Sequence, residues 1–167
     1  MNKWIGIDGG LNGAIAVIDE ENNEVKVFDT PTYTEKLKNS TKNRYDLKGI
    51  YKILYTYMEE SYAVFEKGQA MPGQGSVSMV SIGYCNGIFN AYLTCLQIPY
   101  EQIHPKRWQR EFSIKGDTKV QSVEIAEKLF PKIEFRTERG RLLSGRSDAM
   151  LMAEYGRRKM RGQLNVK

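Results

Sequence analysis

Residues Lys3–Asp19, KWIGIDGGLNGAIAVID, decide how the chain is read. Trp4, Ile5 and Ile7 make the short apolar run of a strand buried on both faces. The run stops at one acid, Asp8, and two glycines follow. A carboxylate just past a central strand is costly to hold without a positive partner. Gly9 and Gly10 carry no side chains, so the backbone of a large ligand can come close to that acid. Gly13–Ile18, GAIAVI, reads as a second strand. Asp8 is therefore the anchor of a candidate metal site, and its partners have to come from farther along the chain.

The 167 residues, 41% hydrophobic and 27% charged, suit one domain with a real core. Its expected span is 1–156, with 157–167 a basic tail. No apolar run reaches the roughly 18 residues of a membrane span, and a strand starting directly after Lys3 leaves no leader to expect. Cys85 and Cys95, ten apart, fit neither a metal motif nor a disulfide and are read as reduced thiols in a cytoplasmic setting. A single histidine, His104, argues against a His-based zinc site. The net charge of +5 is uneven. Residues 1–103 hold 9 Lys and Arg against 12 Asp and Glu, and residues 104–167 hold 16 against 8. A basic half beside an acidic one suggests a polyanion lying across one face.

Beyond the second strand, Glu20–Asn23 signals a turn, and Val25–Phe28 a third strand that completes an antiparallel meander. Pro31–Arg44 is polar and irregular, read as a mobile loop or short helix whose lysines, Lys36, Lys38 and Lys42, are solvated. Asp46 caps an expected helix reaching Glu60, with Leu47, Ile50, Leu54, Tyr57 and Met58 at helical spacing. Ala63-Val64-Phe65 then reads as a buried strand ending at Glu66, again an acid where an apolar run stops. If the two strands are adjacent and parallel, Asp8 and Glu66 lie side by side where open α/β sheets place ligands. Two carboxylates so close repel unless a proton or cation intervenes, and hard oxygen donors select Mg²⁺, with Mn²⁺ as its substitute.

The stretch Lys67–Gly75, KGQAMPGQG, is an expected exposed loop beside Glu66. It is not a nucleotide P-loop, because no Gly-Lys-Ser/Thr follows. Lys67, Gln69, Met71 and Gln74 are its candidate nucleic-acid contacts, with Met71-Pro72 an apolar wedge. Ser78–Leu96 reads as a long helix whose small and aromatic face packs on the sheet or on a second subunit. A strand at Glu101–Ile103 leads to HPKRW, 104–108, read as a basic loop in which Lys106 and Arg107 hold phosphates and Trp108 packs in the core or stacks on a base, the core being favoured. Asp117 caps a helix that Pro131 ends, and Lys115 and Lys119 at its start suit a phosphate. Residues 136–146 are strongly basic and read as a DNA-facing or disordered loop carrying Arg139, Arg141 and Arg146. Ser144 or Ser147 caps the last helix, which places Asp148 in its first turn, where the helix dipole favours an anion. The tail from Arg157 is expected to fray.

Taken together, GIDGGLNGA, AVFEKG, MPGQG, IHPKRW, GDTKVQSVEIAEKLFP and GRSDAMLMAEYG resemble the RuvC-type Holliday junction resolvases, and most of all their phage and prophage branch. The order and spacing hold from Lys3 to about Gly156. GIDGG alone also opens actin-like ATPases, but the further phosphate loops of those enzymes are missing from the sequence. The resemblance implies an α/β, RNase H-like fold: a five-stranded mixed sheet flanked by helices. It implies Mg²⁺-dependent hydrolysis of branched DNA (four-way junctions, with forks and flaps as further substrates) by a homodimer in a bacterial host cell. Asp8, Glu66 and Asp148 match three of the family's four metal-binding, catalytic acids, and Gly10 lies in the glycine turn beside the first. The fourth acid usually stands three or four residues before Asp148, where this chain has Gly145 and Ser144. That departure leaves three alternatives: a replacement ligand such as Glu154, an engineered substitution, or a weakened metal site, the last giving a catalytically weakened protein of the same fold that binds branched DNA.

Overall fold

The computed structural model of the chain describes residues 1–68 and 73–165. Seven strands and five helices run in the order β1 (Lys3–Asp8), β2 (Ala14–Asp19), β3 (Glu24–Asp29), β4 (Thr32–Lys36), β5 (Thr41–Tyr45), α1 (Leu47–Thr56), β6 (Ser61–Glu66), α2 (Ser76–Cys95), β7 (Tyr100–Ile103), α3 (Pro105–Glu111), α4 (Thr118–Leu129) and α5 (Ser144–Met160). Five strands form one mixed sheet in the order β3-β2-β1-β6-β7. The meander β1-β2-β3 is antiparallel, whereas β6 and β7 run parallel to β1. This is the RNase H-like architecture that the resemblance implies. No helix among the described residues is long and apolar enough to cross a membrane.

Strand alternation divides the core in two. Trp4, Ala14, Ala16, Ile18, Val64 and Ile103 face α3, α4 and α5, whereas Ile5, Ile7, Ile15, Val17, Ala63 and Phe65 face α1 and α2. On the first face α5 lies directly on β1. A Cβ on Gly6 would sit on the Ala149 carbonyl and the Ala153 amide nitrogen, so only glycine allows the helix to come this close. Residues Ala149–Ala153 of α5 are all buried there.

Several expectations are corrected. Residues 32–45 are neither loop nor helix but a two-stranded hairpin, with Thr32 opposite Tyr45 and Lys36 opposite Thr41. HPKRW is not a loop: His104 caps α3, accepting from the Lys106 amide through Nδ1 at 3.2 Å, and Pro105 opens the helix. Helix α1 ends at Thr56 rather than Glu60, although Asp46 is its cap as expected. Neither serine caps α5: the N-cap is Leu143, with no side-chain bond. The 136–146 segment is tied down by a bridge between Arg136 and Leu142.

The basic tail is also held where fraying was expected. Helix α5 continues to Met160. Glu154, buried, takes a two-point bond from Arg157 at 2.7 and 2.9 Å and another from Arg158 at 2.8 Å. Arg158 also reaches Glu111, Lys159 reaches Glu101, and Arg157 and Arg161 both reach Glu20. Asn165 bonds Glu111 through its backbone and side-chain nitrogens. A buried carboxylate is tolerable only with such partners.

Candidate active site

Parity places the acids. Asp8 follows Gly6 by two residues and Glu66 follows Val64 by two, so both turn toward the α5 face of the sheet. The parallel register pairs Ile7 with Phe65, which sets Asp8 and Glu66 at neighbouring carboxyl ends. Helix α5 brings Asp148, one residue before the Ala149 carbonyl that rests on Gly6. Strands and helix thus bring three acids together on one face from positions 8, 66 and 148.

Their electrostatics follow from that crowding. Burial, then the charge of Glu66, pushes the Asp8 carboxyl up to about 6, against a bond from the Gly10 amide. Burial pushes Asp148 up to about 7, aided by Asp8 and Glu66 and opposed by the Ser122 hydroxyl and by Lys119. Glu66 is raised by burial and lowered by the Trp108 indole, whose Nε1 donates to Oε2 at 2.9 Å. Such mutual destabilisation of the charged forms is a mark of functional carboxylates. Asp148 is the fifth residue of α5, not a first-turn residue, so the helix terminus contributes less to it than expected.

The turn beside Asp8 is fixed from two elements. Tyr45 donates its hydroxyl to the Gly9 carbonyl at 3.0 Å, and Cys85 of α2 donates its thiol to the same oxygen at 2.7 Å. Gly13 bonds Gly10, and a Cβ on Gly13 would strike the Asp8 carbonyl. A recess of about 210 Å³ opens here, between the Asp8–Gly10 turn, Glu66 and α2.

Neither position of the expected fourth acid carries one: Ser144 is half-buried, and Gly145 is closed in by backbone. A Cβ on Gly145 would meet the Gly13 Cα at 2.8 Å and the Asn12 carbonyl at 2.5 Å, so backbone fills the space a side chain would need. Glu154 is no replacement: its oxygens are taken by Arg157 and Arg158, six residues and about 9 Å along the helix from Asp148. Among the described residues, no three His, Cys, Asp or Glu side chains already stand at metal-ligand spacing. The donor chemistry nonetheless fits a hard divalent cation: three carboxylates raised by burial, Asp8 and Asp148 also by their acidic neighbours, with Lys119 opposing the rise at Asp148.

The candidate DNA contacts separate into groups. Lys67 follows Glu66 and is exposed, Gly10 is exposed in the turn after Asp8, and Gln74 is exposed just before α2. Lys106 and Lys115 flank one surface depression, and Arg139 and Arg141 flank another. Lys119, in the first turn of α4, faces Asp148. Arg146 is not free for DNA: it forks onto Asp29 at 2.6 and 2.8 Å and donates to the Glu134 carbonyl. Arg107 turns toward Glu101 at 3.9 Å and the Tyr155 hydroxyl. Gln69 and Met71 lie outside the described residues. Sequence reading missed the Trp108 bond to Glu66, and it missed Ser122, Tyr45 and Cys85. Only Trp108 carried a signal, since a buried indole N–H needs an acceptor.

Among the solved structures that match the chain are two that do so over nearly its whole length. One is RuvC of Thermus thermophilus, at a TM-score of 0.59 and 12% identity, covering 97% of this chain and 98% of that one. The other is T. thermophilus RuvC in complex with a Holliday junction substrate, at 0.59 and 11% identity with the same coverage. No family model and no curated protein matches. At such identity the likeness is one of fold.

Proposed function

We propose that this chain is a structure-selective endonuclease that cuts four-way junctions and other branched DNA by metal-dependent phosphodiester hydrolysis. Its phage-type motifs point to a bacterial host cell. The observation that carries the reading is the meeting of Asp8, Glu66 and Asp148 on one face of the sheet. The match to an RuvC bound to its junction supports the substrate class.

Asp8, Glu66 and Asp148 would hold Mg²⁺ or Mn²⁺. Bound there, such ions activate water for attack on phosphorus and stabilise the departing 3′ oxygen. The chain's own residues do the rest. The glycine turn after Asp8 admits a phosphate backbone, and Lys119 offsets its charge. Trp108 fixes Glu66, as outer partners do for ligating carboxylates, and the Ser122 hydroxyl favours the ionised form of Asp148. No side-chain nucleophile is required. Burial pushes the Cys85 thiol up to about 11, which keeps it protonated, and His104 is engaged as the cap of α3. A four-way junction offers two opposed strands, which a homodimer would cut in concert.

One observation favours a second reading. Of the two positions where the fourth acid is expected, Gly145 is closed in by backbone and 144 is a serine, so the chain is alternatively a branched-DNA-binding protein with weakened catalysis. Incubating a synthetic four-way junction with the protein and Mg²⁺ or Mn²⁺, beside Asp8→Asn, decides between them. Paired nicks that the variant abolishes while it keeps its binding support the nuclease. Tight binding without cleavage at any metal concentration supports the alternative.

A further inference from the structure

The β4–β5 hairpin enters the site as described only through Tyr45, yet the chemistry of its remaining residues is specific. Residues 32–45 carry Lys36, Lys38, Lys42 and Arg44 against Glu35 alone. The rest of 1–103 carries 5 Lys and Arg against 11 Asp and Glu, so the hairpin is a basic island in the acidic part of the chain. Arg44 is bound to Glu35 at 2.7 Å. Lys36, Lys38 and Lys42 form no ion pair among the described residues and are exposed. Apart from Glu35 and Tyr45, every residue from Thr32 to Tyr45 is exposed, so the ribbon has no core of its own. A lone two-stranded ribbon in water is marginal. Between Lys38 and Lys42 stand Asn39, Ser40 and Thr41, short hydrogen-bonding side chains suited to phosphate and sugar oxygens.

The base of the ribbon is tied to the site. Tyr45 donates to the carbonyl one residue after Asp8, the Thr30 amide donates to the Gly13 carbonyl, and the Asp46 amide closes onto the Pro31 carbonyl. From Thr32 to Lys36 the ribbon extends about 14 Å. A charged, exposed ribbon rooted beside the acids suits a duplex arm leading into them.

Resting on the nuclease reading above, we propose that the β4–β5 hairpin is a DNA-contacting arm, with Lys36, Lys38 and Lys42 on the phosphates of one duplex arm of the branched substrate. It contributes affinity without touching the scissile phosphate. Hairpin lysines also guard an exposed strand edge against self-pairing, and the experiment separates the two roles.

The full chain and a Lys36→Ala, Lys38→Ala, Lys42→Ala variant are titrated with a fluorescent four-way junction across a salt series, in Ca²⁺ to permit binding measurements. The variant should bind about ten- to a hundredfold more weakly near 0.1 M salt, and the slope of log K on log salt should fall by about 2 to 3. Its cleavage rate at saturating protein should stay within about twofold of the parent. A triple Lys→Arg variant should restore the affinity, and it controls for folding. Unchanged affinity and slope in the alanine variant, with or without new self-association, overturns the arm while leaving the nuclease reading intact. A parent chain with no affinity for branched DNA overturns both.

Discussion

Trp108 and Glu66 are separated by 42 residues, and one hydrogen bond joins core to site. The indole is almost wholly buried, so its N–H has no water to turn to. Trp108→Phe keeps the ring and removes the donor. Glu66 then loses the influence that lowers its pKa and keeps the burial that raises it. Cleavage at neutral pH should fall about tenfold, the acidic limb of the pH–rate profile should move to higher pH, and stability should drop by about 1–3 kcal/mol. A loss of stability with no move in the profile would make Trp108 merely structural. A second expectation concerns the acids themselves. With Asp8 and Asp148 raised to about 6 and 7, the folded state binds more protons than the unfolded one between about pH 4 and 7. Metal-free stability from these groups therefore falls as pH rises through that window. Asp8→Asn should stabilise the protein in EDTA by about 1–3 kcal/mol at pH 8 and much less at pH 5. Mg²⁺ should raise the parent's Tm more at pH 8 than at pH 5, because it binds the ionised carboxylates. Denaturant and thermal melts at the two pH values check both.

At the scale of elements, the contact between α5 and β1 is what lets Asp148 reach the strand acids. Gly6→Ala drives a methyl into the helix backbone, and neither partner can yield as a flexible side chain would. A loss of about 3 kcal/mol or more is expected, with cleavage lost alongside. Gly87→Ala on α2, where a Cβ meets nothing within 4 Å, should instead be neutral or stabilise by up to about 1 kcal/mol. Chemical melts of the two variants give the contrast. The same elements mark how far the sequence could be read. β1, β2 and β6 were legible because their apolar runs are short, dense and stopped by an acid. α4 was legible from Asp117 and Pro131. The hairpin was not: all its side chains but Glu35 and Tyr45 are exposed, so no apolar alternation records it. α3 was misread although Pro105 after a capping His104 is a helix-start signature. The crowding at Gly145 was beyond reach, since it depends on where Asn12 and Gly13 lie in space.

On the scale of the molecule, α1 and α2 expose Leu47, Tyr51, Tyr55, Val77, Val80 and Tyr84 to solvent, and the groove beside Val77, Val80 and Tyr84 is shared with Lys42 and Arg44 of the hairpin. Val77 and Val80 are 74% and 70% exposed, too much for chance on a helix whose other face is already satisfied by Ile88, Phe89 and Leu93. Tyr51 stacks on Tyr55 and tilts against Tyr92, which makes the two helices one continuous surface. Large exposed apolar patches on a folded chain mark interfaces. The proposed reaction needs two sites facing opposite strands, and a two-fold contact is the simplest way to supply the second. Sedimentation equilibrium should therefore find a dimer. Val80→Asp places a charge in the middle of the patch and touches no buried side chain, so it should shift the chain to monomer with its circular dichroism unchanged. On a four-way junction that monomer should leave isolated nicks where the parent leaves paired cuts. If the variant still sediments as a dimer and cuts in pairs, the second copy is held by some other face.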